Sequence, residues 1–427
     1  MANYPLQADP RSVATVGENF NDGSVLELVT PASSGSLFLL FRKAGKQRIA
    51  RQVQHSRRIY QPPDLDESLR RAIRFPPSAQ SYGSTGKLLG RVRQLFAGYA
   101  GLPRPESALI TAWAASSWFA DCFSSPPTLL ISGPNMDHAI RLFRLLHCVC
   151  RRSVLLGDLS RSAFLTLAPL GATLLINQPD LSPRIRALFA TSNYHGVHVF
   201  GNGKISSIAS SKAIFLGMEH ASEDEGLHLA LPPAHCDLLP KERQLSEIAQ
   251  ELQAQLLLYR LRNLDKVRDF SPSKLDSTFI SDVARNLAAS VLGQVEIVES
   301  IGPLLRRLAE DKIAQRGCDI HVAIIEVTWG PSHEGQEIKI SRLAELANAL
   351  LRCRGETLEY SAAEIGWKLK NFGFRHHRNG SGMLLKFSRE NRFLLHQLAA
   401  RGGLNLPRAS GCALCSPPQK VDAERLM

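Results

Sequence analysis

The chain has 427 residues, 44% of them apolar and 21% charged, which is enough for a buried core and for two or three domains. It carries 51 Lys+Arg against 39 Asp+Glu, a net charge of +12 with His neutral. That excess favours anionic partners, nucleic acid first, while the absence of a long uninterrupted apolar run speaks against a membrane partner.

Residues 1–66 read as a flexible, basic N-terminal region. Met1 to Asp22 holds Asp9, Arg11, Glu18 and Asp22 without an apolar h-region, unlike a secretory signal. Eight cysteines are sparse for a disulfide scaffold, so the cytoplasm is expected. Residues 1–36 are rich in Pro, Gly, Ser, Asp and Asn and are expected to be loosely ordered. Arg42, Lys43, Lys46, Arg48, Arg51, Arg57 and Arg58 follow without an acid between them. That run reads either as a phosphate-contacting arm or as a solvated basic linker.

Residues 67–126 read as a helical lead-in. Leu88, Leu89, Val92, Leu95 and Phe96 fall at helical spacing, and residues 109–123 form a second, strongly apolar helix with Trp113 and Trp118. Gly83 to Lys87 superficially suggests a phosphate loop, but Ser81 stands where the first Gly belongs and Leu88 follows the Lys.

From residue 127 to 236 short apolar runs alternate with helical stretches. Candidate strands cover residues 128–131, 154–156, 173–176, 197–200, 213–216 and 227–231, and candidate helices residues 138–150, 160–167 and 183–191. This alternation predicts a parallel α/β sheet. Gly201 to Gly203 predicts a hairpin turn. Residues 237–337 read as mainly helical, with a long amphipathic helix over 241–264, helices near 275–292 and 296–315, and one strand-like run at 320–327.

Residues 338–401 read as a separate winged helix-turn-helix: helix 340–352, helix 362–371 after an N-cap at Ser361, then strands 372–375 and 383–387 around a turn at Arg378 to Gly382. Residues 341–401 hold 11 Lys/Arg and 5 Asp/Glu. Lys368, Lys370, Arg375, His376, His377, Arg378 and Lys386 are the candidate DNA-binding residues; docking of a protein on the same surface is the competing use. Residues 402–427 read as a flexible tail. Cys412 and Cys415 form a lone CxxC there. A structural zinc needs four ligands. Cys353 and His396 would complete the count, but no spacing demands them, so free thiols and no metal are expected.

The first strand of the α/β region ends Ile131, Ser132, Gly133, Pro134, and a helix follows at once. That is the place of a nucleotide phosphate loop, G-x-x-x-x-G-K-[ST]. Here the second Gly is His138, the Lys is Ala139 and the hydroxyl is Ile140. No ammonium then reaches the phosphates, and Mg²⁺ loses a ligand. The strand at 173–176 should end in Asp-Glu; it ends in Asn177 and Gln178, and Gln cannot serve as a general base.

With Arg151 to Arg161, Thr173 to Ser182, Lys212 to Ile214 and Ala363 to Phe374 in the same order, residues 67–398 resemble the ATPase core and winged-helix tail of bacterial helicase/primase-like proteins of phages, plasmids and integrated elements. The resemblance implies a RecA/AAA-like P-loop core. It also implies a degenerate nucleotide site at Gly133, Pro134, His138, Ala139, Ile140, Asn177 and Gln178. The expectation is a non-catalytic pseudo-ATPase that uses no cofactor. It would bind DNA or a replication partner through its basic winged helix, and its core would serve as a scaffold or oligomerisation unit. Competing readings are an atypical active NTPase, with Arg184 or Arg186 stabilising charge, and a DNA-binding transcriptional regulator.

Overall fold

A computed structural model describes residues 12–32, 34–178, 182–192, 195–201, 204–207, 209–217, 226–232, 240–270, 281–317, 319–335, 337–356, 359–380, 382–401 and 404–415. Asp180, the tips of both expected hairpin turns and residues 416–427 lie outside them. The chain divides into two compact units, residues 1–309 and 310–427.

The N-terminal segment is β structure. The chain runs β1 (Ser12–Ala14), β2 (Gly17–Asn19), β3 (Val25–Val29), β4 (Phe38–Lys43), β5 (Lys46–Ala50), β6 (Val53–His55) and β7 (Arg58–Gln61). Sheet β2-β3-β4-β5 is antiparallel throughout. The expectation of loose order therefore fails for residues 12–61. The cause is visible in β3 and β4, where both faces find an apolar partner. Leu26, Leu28 and Leu39 join a small cluster with Val53 and Tyr60, while Val25, Val29 and Leu40 join the main core. The basic residues of the expected arm sit largely on β4, β5 and β7; Arg48 and Arg51 lie over the rings of Phe41 and Phe38.

Helices α1 (Glu67–Ala72), α2 (Thr85–Tyr99) and α3 (Arg104–Ser117) follow. Eleven of the 14 residues of α3 are buried, and the indole N–H groups of Trp113 and Trp118 donate to the carbonyls of Pro127 and Val149 at 2.9 and 2.8 Å.

The α/β region then runs β8 (Thr128–Ser132), α4 (Met136–Val149), β9 (Ser153–Leu156), α5 (Arg161–Leu167), β10 (Thr173–Ile176), α6 (Pro183–Thr191), the hairpin β11 (His198–Gly201) and β12 (Lys204–Ser207), β13 (Lys212–Phe215) and β14 (Leu227–Ala230). Five strands form one parallel sheet in the order β14-β8-β13-β10-β9. Period-two alternation splits its side chains between two cores. Leu129, Ile131, Leu175 and Phe215 face the cluster that holds α2, α3 and α4, whereas Leu130, Leu174, Ile176 and Ile214 face α5 and α6. Helices α7 (Glu242–Arg268), α8 (Ser281–Ser290) and α9 (Val295–Gly317) add to the first cluster.

A buried ionic cluster ties β3 to the α/β layer and to α7. Glu27, 2% exposed, accepts from Arg151, Arg152 and Arg260 at 2.6, 2.7 and 2.7 Å. Arg260 also donates to Asp121 at 2.6 and 2.8 Å. Burial pushes the Glu27 carboxyl up, but the three guanidinium groups outweigh it and bring it down to about 2.

The second unit runs α10 (Ile320–Glu334), β15 (Glu337–Lys339), α11 (Ile340–Cys353), α12 (Ala362–Phe372), β16 (His376–Asn379), β17 (Gly382–Lys386) and α13 (Arg389–Arg401). Residues 320–327, expected as a strand, are helical. An apolar run this short fits either form, and Asp319 settles it by capping the His321 N–H at 2.7 Å. β15 pairs antiparallel with β17, and β17 with β16. Ser361 and Glu364 form a capping box at the start of α12. The core joins Ile324, Leu343, Leu351, Ile365, Leu369, Phe374, Leu385 and Leu395, and Leu404 and Leu406 pack on it. Residues 404–415 are thus seated on the unit and do not form the expected flexible tail.

Candidate functional site

The loop between β8 and α4 lies at the carboxyl edge of the parallel sheet, where such folds hold phosphates. Asn177 and Gln178 leave β10 at the same edge, with only β13 between β10 and β8. The seven expected nucleotide-site residues therefore share one edge, and several backbone donors of the loop there are already taken. Gly133 N–H donates to the Gly217 carbonyl at 2.8 Å. Asn135 Oδ1 caps the Asp137 and His138 N–H groups at 2.9 and 3.2 Å. The last two are first-turn helix donors of the kind a phosphate would use.

The side chains close the loop further. His138 is 2% exposed, with Nδ1 at 3.2 Å from the Pro232 carbonyl and Nε2 at 2.9 Å from that of Ala100. Ala139, where a phosphate-binding Lys would stand, is fully buried in the main core. A Cβ on Gly133 would meet Leu231 Cβ at 3.0 Å, so this Gly serves close packing of the loop on the residue after β14. Gln178 Oε1 accepts the Leu159 N–H at 3.1 Å. Asn177 Oδ1 is buried without a partner among the described residues. Arg184 is exposed on α6, and the Arg186 side chain lies outside the described ones.

A cleft of about 530 Å³ opens elsewhere, lined by Arg70, Arg71, Arg74, His147 and Gln253. His147 is near the carboxyl end of α4, and Arg74 N–H donates to the carbonyl of Ser153 at the start of β9. The cleft is thus at the amino edge of the sheet and does not rebuild the phosphate loop. Burial, aided by Arg74, holds the His147 imidazole down at about 4.

In the second unit a groove of about 460 Å³ runs between α11, α12 and the β16–β17 hairpin, lined by Ser341, Gly366, Trp367, Lys370, His376 and Met383 among others. Of the expected DNA-binding residues, Lys370 and His376 meet here. The pairing of Arg378 with Met383 puts Arg378 on the same hairpin face. The other cations are engaged locally. Lys368 lies over the Tyr360 ring at 5.3 Å, Arg375 pairs with Glu390 at 3.0 Å, and Lys386 with Glu337 at 3.5 Å. His377 is exposed and faces with Leu384 on the other side of the hairpin. Trp367, 65% exposed, and Met383, 37% exposed, escaped sequence reasoning. Their signal was an aromatic and a Met at positions off the apolar stripe.

Four potential metal ligands also converge in this unit: His333 on α10, His396 on α13, and Cys412 and Cys415 beyond it, all ligand atoms within 4.8 Å of one another. Cys353, weighed as a ligand from sequence, is exposed and outside the group; His396 is inside it. His333 was missed because it lies 82 residues before Cys415 and nothing local marks it. Burial, with the neighbouring His333, lowers the His396 imidazole from its ordinary value.

No protein-family model matches the chain, and no curated relative matches it. Among solved structures it is similar to the A form apo structure of the NrS-1 C-terminal region, with 8% identity and a TM-score of 0.34 over 84% of this chain and 95% of that one. A second structure of that region gives the same identity and TM-score over 85% and 96%. Likeness at this level identifies no function.

Proposed function

We propose that this is a non-catalytic, helicase/primase-like protein of mobile-element origin. Its α/β core is a degenerate P-loop ATPase, and its second unit is a winged helix that binds DNA. The observation that carries the non-catalytic reading is the loop after β8. Its donors are spent on Gly217 and Asn135, and the Lys position is a core alanine. The parallel order β14-β8-β13-β10-β9 supports descent from a RecA/AAA-like core. It is the strand order of that class, with the phosphate loop after the first strand in sequence and the acidic strand end after the third.

The winged-helix reading rests on the order α10, β15, α11, α12, β16, β17, with β15 and β17 paired. α12 would then enter the major groove, and the β16–β17 wing would contact phosphates. Lys370, His376 and Arg378 supply the cationic contacts, and Trp367 an apolar contact for base edges. The exposed Trp367 and Met383 favour one second reading, the docking of a replication protein in the same groove.

Two titrations test the proposal. Fluorescent ATP analogue with Mg²⁺ is added to the purified protein and to an Ala139→Lys/Ile140→Thr/Asn177→Asp/Gln178→Glu variant, and millimolar or absent binding by the wild type is expected. Micromolar, Mg²⁺-dependent binding by the wild type would sink the pseudo-ATPase. Duplex DNA anisotropy against salt tests the winged helix. Affinity that falls steeply with salt supports it; no binding at low salt leaves the groove to a protein.

A further inference from the structure

The geometry points to a structural zinc site made by His333, His396, Cys412 and Cys415. Four Lewis-base atoms from three parts of one unit meet around a single point. The Nε2 atoms of the two imidazoles are 3.1 Å apart. Cys415 Sγ is 3.3 Å from His333 Nε2, and Cys412 Sγ is 3.6 Å from His396 Nε2. A tetrahedral zinc with Zn–N near 2.05 Å and Zn–S near 2.3 Å requires edges of about 3.3 Å between nitrogens and about 3.6 Å between nitrogen and sulfur. The three distances lie within a few tenths of an ångström of those edges.

The surroundings are built for ligation. His333 Nδ1 is 2.7 Å from the Trp329 carbonyl. A proton on Nδ1 satisfies that contact and leaves the Nε2 lone pair for a metal, the arrangement that orients ligating histidines. The Trp329 ring lies against both imidazoles, with centroids 4.9 and 4.5 Å away, which fixes their planes. Its indole N–H donates to the Pro407 carbonyl at 2.8 Å and so anchors the approach to the cysteines. The Cys415 N–H donates to the Cys412 carbonyl at 3.1 Å, and this turn brings both sulfurs to one side.

Two soft sulfurs and two imidazoles in tetrahedral array select zinc over the oxygen-seeking cations. On binding, the two thiols give their protons to solvent and the neutral imidazoles bind through Nε2. With four protein ligands no position is left for substrate, so the role is structural. None of the four lines the α11–α12 groove. The ion would fasten residues 404–415 across α10 and α13, and α10 packs on α11, one wall of the groove.

The test uses full-length, reduced protein purified without a metal-affinity tag. After dialysis against metal-free buffer, about one zinc per chain is expected by elemental analysis. Cys412→Ser/Cys415→Ser should lose it, and Cys353→Ser should keep it. Cobalt substitution of the wild type keeps the question decidable if the double variant fails to fold. Strong visible d–d bands and a thiolate-to-cobalt charge-transfer band report a tetrahedral site with sulfur ligands. Wild-type protein that retains no zinc and gives only the pale spectrum of hexaaqua cobalt overturns the site, as does full zinc retention by the double variant.

Discussion

At the β8–α4 loop, the N–H that follows the strand meets the Gly217 carbonyl, two N–H groups of the helix start meet the Asn135 side-chain amide, and all three are consumed within the fold. In the second unit, four potential ligand atoms lie within 4.8 Å of one another, in the cluster proposed above for zinc. Both places look chemical in the sequence. The first fits a known motif badly, and the second hardly registers. The difference is one of satisfaction. The loop donors bond to groups whose only use there is to accept them, whereas two thiols and two imidazoles, hydrogen-bonded to one another when protonated, become a tetrahedral ligand set once the thiols lose their protons. The motif pointed to a loop whose named backbone donors are taken, and the CxxC that no motif singled out belongs to the cluster proposed above for zinc.

The largest effect expected tests the closed side of that comparison. Ala139→Lys puts an ammonium into the main core, where Ala139 is fully buried. Burying an unpaired charge and four extra heavy atoms should cost on the order of 4 kcal/mol or more. Urea denaturation followed by far-ultraviolet circular dichroism measures it. A variant that keeps the wild-type midpoint and gains ATP binding would mean that the loop opens, and the contrast between the two regions would collapse.

The ionic cluster around Glu27 is closed in the same sense, and breaking it should be nearly as costly. Glu27→Gln leaves three guanidinium groups without their shared anion, for a loss of about 3–5 kcal/mol. Acid should do the same gradually. The Glu27 carboxyl is held down at about 2 in the fold against an ordinary value of 4.5. Its stabilisation is therefore complete above pH 4.5 and lost as pH falls from there toward 2. Glu27→Gln protein should show a shallower loss of stability across that window than the wild type.

Lys212 is the exception inside the core. It is fully buried, its Nζ donates to the Ser210 carbonyl at 3.2 Å, and burial brings it down to about 7. Folding thus works against the charged form. The unfolded chain holds the proton up to pH 10.5 and the folded one only to about 7, so stability rises with pH between those values. Lys212→Met should stabilise the protein by roughly 1–3 kcal/mol below pH 7, and the gain should shrink as pH approaches 10. A gain that does not change with pH would show that packing, not ionisation, sets it.

How much of this was legible follows the range of the interactions. The parallel sheet could be read because period-two runs and intervening helices are local patterns. The order of elements from residue 340 to 386 could be read for the same reason. The strands over residues 12–61 could not. Two dense apolar runs, 25–29 and 37–41, are set among Pro, Gly, Ser and basic residues that mask them, and they fold by pairing with one another and by laying Val25, Val29 and Leu40 on a core assembled from residues far along the chain. Residues 320–327 were misread as a strand because a short apolar run carries no decisive period. His333 carried no signal at all, since its meaning depends on residues 63 and 82 positions away. The basic surface was half legible. Charge could be counted, but which cations the fold had already paired could not.

That last point sharpens the comparison within the second unit, through the smallest effect. Lys370 lines the α11–α12 groove, whereas Arg375 and Lys386 each have a carboxylate partner at 3.0 and 3.5 Å. If α12 and the wing face DNA, Lys370→Ala should weaken duplex binding several-fold and lower the slope of log K against log salt by about 1, as loss of one phosphate contact does. Lys386→Ala should lower the slope less, because Lys386 is held by Glu337 and so is not placed to neutralise a phosphate. Trp367→Ala should weaken binding without altering the slope, since an apolar contact to base edges releases no counterions. Anisotropy at four or five salt concentrations separates these outcomes. Equal slopes for the wild type and for Lys370→Ala would place the phosphate contacts on another surface, and the exposed arginines and lysines of β5 and β7 would be the next to replace.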